Sequence, residues 1–172
     1  MVLYQALPKR RKFDWILQKG TELGVCTFVP LVTERCVRAR GKRDEGHKLA
    51  RWRRIVAEAA EQSGRAHLPR VLQATPFAEA CQAPPRDTLG LMASVGDETV
   101  PLSKALRSLE DAPHLREVRL YVGPEGGFAP REVALARDAG IVLVSLGPRV
   151  LRTETAGLVA LSAVLYALGD MG

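Results

Sequence analysis

Two glycine loops hold the residues best suited to chemistry: GPEGGF at residues 123–128 and LGPRVLRTETA at residues 146–156. Gly123, Gly126 and Gly127 leave the backbone open to close approach. A flat ligand could lie against it and bond its N–H and C=O groups. Neither loop matches G-x-x-x-x-G-K-[ST] or G-x-G-x-x-G, so a phosphate loop and a dinucleotide fingerprint are not supported. Taken alone, GPEGG reads equally well as a tight turn. The charged groups nearest in sequence are Glu125, Arg149, Arg152 and Glu154. His47, His67 and His114 stand apart and read as surface residues. Cys26, Cys36 and Cys81 are widely spaced, with no C-x-x-C, which argues against a zinc site or disulfide framework and for a reducing cytoplasm. No metal is expected.

The apolar runs 118–122 and 141–146 must position these loops. They read as buried parallel strands, and a helix follows each loop. In an open α/β sheet, ligands bind where loops cluster at the carboxyl ends of strands, so the two loops are placed to meet at one pocket. Upstream, strands are expected at 2–6, 25–32, 68–74 and 89–95. Helices are expected from Phe13 to the stop at Gly24, then over 48–63, 76–82, 102–109, 131–139 and 153–168. The alternation is that of an α/β sheet, in one domain over residues 1–172. Ala129 offers no side-chain cap to the helix at 131–139, a lack that Glu132 and Glu125 partly compensate.

The loops GPEGGF and LGPRVLRTETA occur together with LYQALPKRRKFDWILQKGTELGV, VPLVTERCV and RWRRIVAEAAEQSGRAHLP. With these segments in this order, the chain resembles the RsmE family, SPOUT-class methyltransferases acting on 16S ribosomal RNA. The resemblance implies a SPOUT-type parallel sheet flanked by helices, a C-terminal trefoil knot and a homodimer. It also implies methyl transfer from S-adenosylmethionine to N3 of a uridine in the 30S subunit. Family members usually carry an N-terminal PUA-like RNA-binding domain before the LYQALPK segment, and this sequence begins almost at that segment. Methylation of another RNA, such as tRNA or a ribose 2′-hydroxyl, and a non-catalytic RNA-binding remnant are the alternatives.

On that resemblance, Gly123, Pro124, Glu125, Gly126 and Gly127 would form one wall of the cofactor seat. Leu146, Gly147, Val150 and Leu151 would form the other, packing on adenine. Negative charge develops on uracil as its N3 proton leaves, and Arg152 and Arg149 are the catalytic candidates to stabilise it. Arginine stays protonated and is a poor base. Glu125 or Glu154 could take the proton, or pair with an arginine, or serve a helix N-terminus.

The chain carries a net charge of +6, concentrated in its first third, which fits a polyanionic partner. Arg38, Arg40, Lys42 and Arg43 suit phosphate contact. Glu58, Gln62 and Arg65 share one helical stripe if the helix persists past Gly64. The stripe reads as a surface ion-pair ladder on pattern alone, and as an RNA contact on the family match. Lys19 is either part of a solvated helix face or, by resemblance, an RNA contact near the pocket mouth. The last helix has few polar positions, and its second apolar stripe suits a subunit interface. No run of 18 apolar residues exists, so no membrane span is expected.

Overall fold

Leu120 and Tyr121 are adjacent in sequence and fully buried, yet they belong to two separate apolar clusters. Successive strand residues point to opposite faces, so both faces of this strand are covered. The computed structural model describes residues 1–9, 11–36, 45–96, 98–110 and 115–171. The chain runs β1 (Val2–Ala6), α1 (Lys12–Leu23), β2 (Thr27–Val32), α2 (Glu45–Gln62), β3 (Arg70–Val71), β4 (Thr75–Pro76) and α3 (Phe77–Ala80). It continues with β5 (Thr88–Ala93), β6 (Val100–Pro101), α4 (Leu102–Glu110), β7 (Glu117–Val122), α5 (Pro130–Asp138), β8 (Val142–Ser145) and α6 (Thr153–Ala167).

The strands form one sheet in the order β3-β2-β1-β7-β5-β8-β6, with β4 also pairing β2, and every pairing is parallel. Helices α1, α2, α4 and α6 pack together over one face, where Leu3, Phe28, Leu91, Leu120 and Leu161 form the core. The short α3 and α5 cover the other face over Val29, Met92, Tyr121 and Leu143. The expected parallel α/β sheet flanked by helices is therefore present. Among the described residues, no helix is long and apolar enough to cross a membrane.

Helix ends follow their local chemistry. α1 stops at Gly24, which takes a left-handed φ of 112°. α5 opens on Pro130, whose missing N–H costs nothing in a first turn. The expected strand at 68–74 shrinks to Arg70–Val71. Its neighbour β2 pairs β3 through Thr27 and Phe28 and β4 through Leu31 and Val32. Pro30 falls in the gap and has no N–H to continue the ladder. The expected helix at 48–63 begins earlier, at Glu45, and takes in the exposed His47.

Gly20 shows how tightly α1 sits on the sheet. A Cβ there would lie 2.8 Å from a ring carbon of Phe28, which is fully buried and cannot yield. Alanine is favoured over glycine in a helix by about 1 kcal/mol, but overpacking a core costs about 1–3 kcal/mol. Gly20→Ala is therefore expected to destabilise the fold, lowering the melting temperature by about 2–4 °C per kcal/mol lost. A thermal scan checks this, and a raised melting temperature would contradict the packing argument.

Candidate active site

β7 and β8 each pair with β5 and not with each other. The two glycine loops therefore flank the end of β5, and the segment after Leu146 crosses above it. Thr153, the first residue of α6, donates its hydroxyl to the Gly123 carbonyl at the end of β7. A cavity of about 600 Å³ lies beneath this crossing. Gly123, Pro124, Glu125, Gly126 and Gly127 line one side; Leu146, Gly147, Val150 and Leu151 line the other. Arg149 and Arg152 also border it. A third wall, Ala93 to Gly96, comes from the loop after β5. The family resemblance points to this strand end, where Ala93 and Ser94 stand in place of the charged residue that related enzymes often carry; local periodicity alone does not set the strand order that brings it to the cavity.

Local backbone demands explain two of the glycines. Gly127 and Gly147 have φ of 68° and 107°, values that side chains with a Cβ rarely adopt. The wall surfaces are largely peptide groups and aliphatic side chains, a combination common in small-molecule sites, and the volume lies in their usual range.

Charged and polar contacts hold the loops in place. The Lys12 ammonium lies 3.4 Å from Glu125 and 3.1 Å from Glu154, joining the first loop to the start of α6. Its hydrogen bond to Glu154 raises the Lys12 pKa above the ordinary lysine value. Partial burial by itself raises the Glu125 carboxyl. The N–H groups of Glu125 and Lys9 and the Lys12 ammonium outweigh it, so Glu125 sits below its usual range. Arg35 donates a 2.7 Å hydrogen bond to the Gly126 carbonyl from the segment after β2. Glu132 accepts from the N–H of Ala129 at 2.8 Å and of Glu34 at 2.9 Å, tying the start of α5 to that segment.

These contacts revise several expectations. Among the described residues, neither Glu125 nor Glu154 pairs with an arginine; both face Lys12. Glu132 supplies the α5 cap, and Glu125 takes no part in it. Among the described residues, no ion pair or hydrogen bond engages the guanidinium of Arg149 or Arg152, so both remain available at the cavity. The stripe of Glu58, Gln62 and Arg65 is broken. α2 ends at Gln62 and Gly64 turns left-handed. Arg65 folds back to donate to the carbonyls of Thr21 at 3.0 Å, Val25 at 2.7 Å and Gly24 at 3.4 Å. It closes the end of α1 with three of its N–H groups. Glu58 pairs with Arg54 on an exposed face, and Gln62 is exposed. Lys19 pairs with Glu22 at 2.8 Å. None of these four lines the cavity. Arg38, like Arg40, Lys42, Arg43 and His114, lies outside the described residues.

Sequence reading missed Lys12, Arg35 and Thr153 at the site. Lys12 carried a faint signal, as the last of the basic run that leads into α1 and the first residue of that helix. Arg35 and Thr153 had none beyond their place in the quoted motifs. Among the described residues, no group of three or more His, Cys, Asp or Glu side chains gathers to hold a metal.

The family model for an RNA methyltransferase domain matches residues 1–165. The ribosomal RNA small subunit methyltransferase E of Bacillus subtilis is 37% identical over 161 residues, 93% of this chain and 63% of that protein. Its namesake from Synechocystis is 41% identical over 162 residues, 92% of this chain and 50% of that protein. The chain thus spans between half and two thirds of the length of these relatives. The crystal structure of a small subunit methyltransferase E from Neisseria gonorrhoeae, bound to S-adenosylmethionine, superposes with a TM-score of 0.82 at 36% identity. It covers 96% of this chain and 65% of that one. Glycine loops facing one cavity and a family match over nearly the whole length agree: the chain belongs to the RNA methyltransferase domain family, beside the small subunit methyltransferases E.

Proposed function

We propose that this chain is the S-adenosylmethionine-binding, methyl-transferring domain of an RsmE-type enzyme, with N3 of a uridine in 16S ribosomal RNA of the 30S subunit as acceptor. The observation that carries the reading is the meeting of both glycine loops around one cavity with two uncommitted guanidiniums at its border. Bound S-adenosylmethionine supplies the electrophilic methyl group. Gly123 to Gly127 offer it backbone groups, and Leu146, Val150 and Leu151 offer it apolar cover. Arg152 and Arg149 stabilise the negative charge that gathers on uracil O2 and O4 as N3 gives up its proton, an interaction stronger in the transition state than in the ground state. Glu125 is a weak candidate for the proton acceptor, since Lys12 and two N–H groups already hold its charge. Glu154 serves with it as the other anchor of Lys12.

The same proposal includes a single domain over residues 1–172, a cytoplasmic setting, a trefoil knot formed by the C-terminal crossing, and a homodimer through the outer face of α6. Exposed Val159, Tyr166 and Leu168 support the last of these. The basic residues of the first third, Lys19 and Arg38 included, would meet RNA phosphates; Glu58 and Gln62, both exposed, remain in the proposal as RNA-facing groups. Arg65 remains in it as an RNA contact through the N–H groups that its three carbonyl bonds do not use.

Two measurements test the core reading. Titration calorimetry on the 172-residue chain should detect binding of S-adenosylmethionine. A tritiated-methyl assay on 30S subunits from a strain lacking the modification should then find the label at a uridine N3. Label on tRNA or on a ribose would redirect the substrate, and no uptake of the cofactor would remove the seat. Arg152→Ala should keep cofactor binding and lose turnover by about 10²-fold or more; equal turnover would exclude its role.

The charge clamp has its own pH signature. Glu125 has a depressed pKa when folded, so its contribution is present above the unfolded value near 4.3 and is lost as pH falls through the lower folded value. Lys12 works in the opposite sense: its contribution holds below about 10.4 and is lost as pH rises through the raised folded value. Glu125→Gln should therefore lose less melting temperature than the native chain between about pH 6 and pH 3. Identical losses in the two proteins would dismiss the clamp.

A further inference from the structure

Gln5 is a polar side chain held in the apolar core, 1% exposed, on the face of the sheet covered by α6. The pairing of β1 with β7 sets it opposite Val122, the residue before Gly123. Its Nε2 donates to the Thr153 hydroxyl at 3.0 Å and to the Ala6 carbonyl at 3.1 Å. The Thr153 hydroxyl in turn donates to the Gly123 carbonyl. A carbonyl only accepts, so the threonine proton must point at Gly123. The hydroxyl must then accept from Gln5, which fixes which end of the amide faces it. This leaves Oε1 as a buried side-chain atom with no hydrogen-bond partner among the described residues. It rests against Gly157 of α6, where a Cβ would come within 3.0 Å of it.

A buried acceptor without a donor lowers stability, and native chains carry few of them. A leucine or methionine at position 5 would satisfy the core without that penalty. Retaining the amide there makes sense if its N–H does something the core does not need. What it reaches, through one hydroxyl, is the carbonyl of the first residue in the GPEGGF loop. We propose that Gln5 is a positioning residue for the cofactor seat. Acting through Thr153, it sets the direction of the Gly123 carbonyl and so the tilt of the Gly123–Pro124 peptide at the wall of the cavity. The relay also locks the start of α6 to the end of β7, so both loops take their spacing from one amide. This inference rests on the reading of the cavity as an S-adenosylmethionine seat.

Calorimetry with S-adenosylmethionine, run at a temperature where each protein is fully folded, tests it. Gln5→Met should weaken binding about tenfold with little loss of melting temperature, because the orphaned acceptor leaves together with the bonds. Thr153→Val should weaken binding similarly, and Thr153→Ser, which keeps the hydroxyl, should recover most of the affinity. The double variant Gln5→Met with Thr153→Val should bind no more weakly than the worse single one, since the two groups act as one unit. Native affinity in Gln5→Met, or losses that multiply in the double variant, would overturn the relay while leaving the seat intact. Should Gln5→Met fail to fold, the valine and serine variants decide: a loss confined to valine supports the relay, and equal binding in both ends it. No binding by the native chain would end both this inference and the reading beneath it.

Discussion

A wall made of peptide groups is only as selective as the directions in which those groups point. That constraint governs the site. Gly123 to Gly127 and the segment from Leu146 to Leu151 present backbone and aliphatic surface, with few reactive side chains. Peptide planes in a glycine loop have many orientations open to them, so the surrounding structure must remove that freedom. It does so at three carbonyls or carboxylates: Thr153 on Gly123, Arg35 on Gly126, and Lys12 on Glu125.

The strand order makes these restraints necessary. Placing β5 between β7 and β8 opens a gap between the two loops, and the chain after β8 must cross it to begin α6 beside Gly123. The crossing roofs the cavity. It also puts Thr153 and Glu154 within reach of β1 and the start of α1, so the N-terminal segment supplies the anchors, Gln5 and Lys12, for loops near the C-terminus. Gln5 and Thr153 are 148 residues apart in sequence, and Lys12 and Glu154 are 142 apart. Global folding is thus a condition for the site to exist at all.

The division of charge follows from the same plan. Carboxylates near the cavity are engaged: Glu125 and Glu154 by Lys12, and Glu132 by the N–H groups of Ala129 and Glu34. Among the described residues, nothing engages the guanidiniums of Arg149 and Arg152. The chain as a whole carries a net positive charge of +6. Arg65 is the counter-example. It looks wholly exposed in sequence, but three of its N–H groups bond carbonyls at the end of α1.

What sequence alone determined was local. Runs such as Ile141–Val144 are apolar on both faces and read as buried strands. Gly24 and Gly140 stop helices because they accept a left-handed backbone. The glycine loops marked the candidate site by following two strands and by the family resemblance of the paired motifs, since GPEGG alone reads equally well as a tight turn. Sequence did not determine which charges pair, that the stripe through Arg65 breaks at Gly64, or that Gln5 lies beneath Thr153. Each of those depends on strand order and on contacts between distant segments. Short-range periodicity reports which way a side chain faces along its own element; only the folded sheet decides which element it meets.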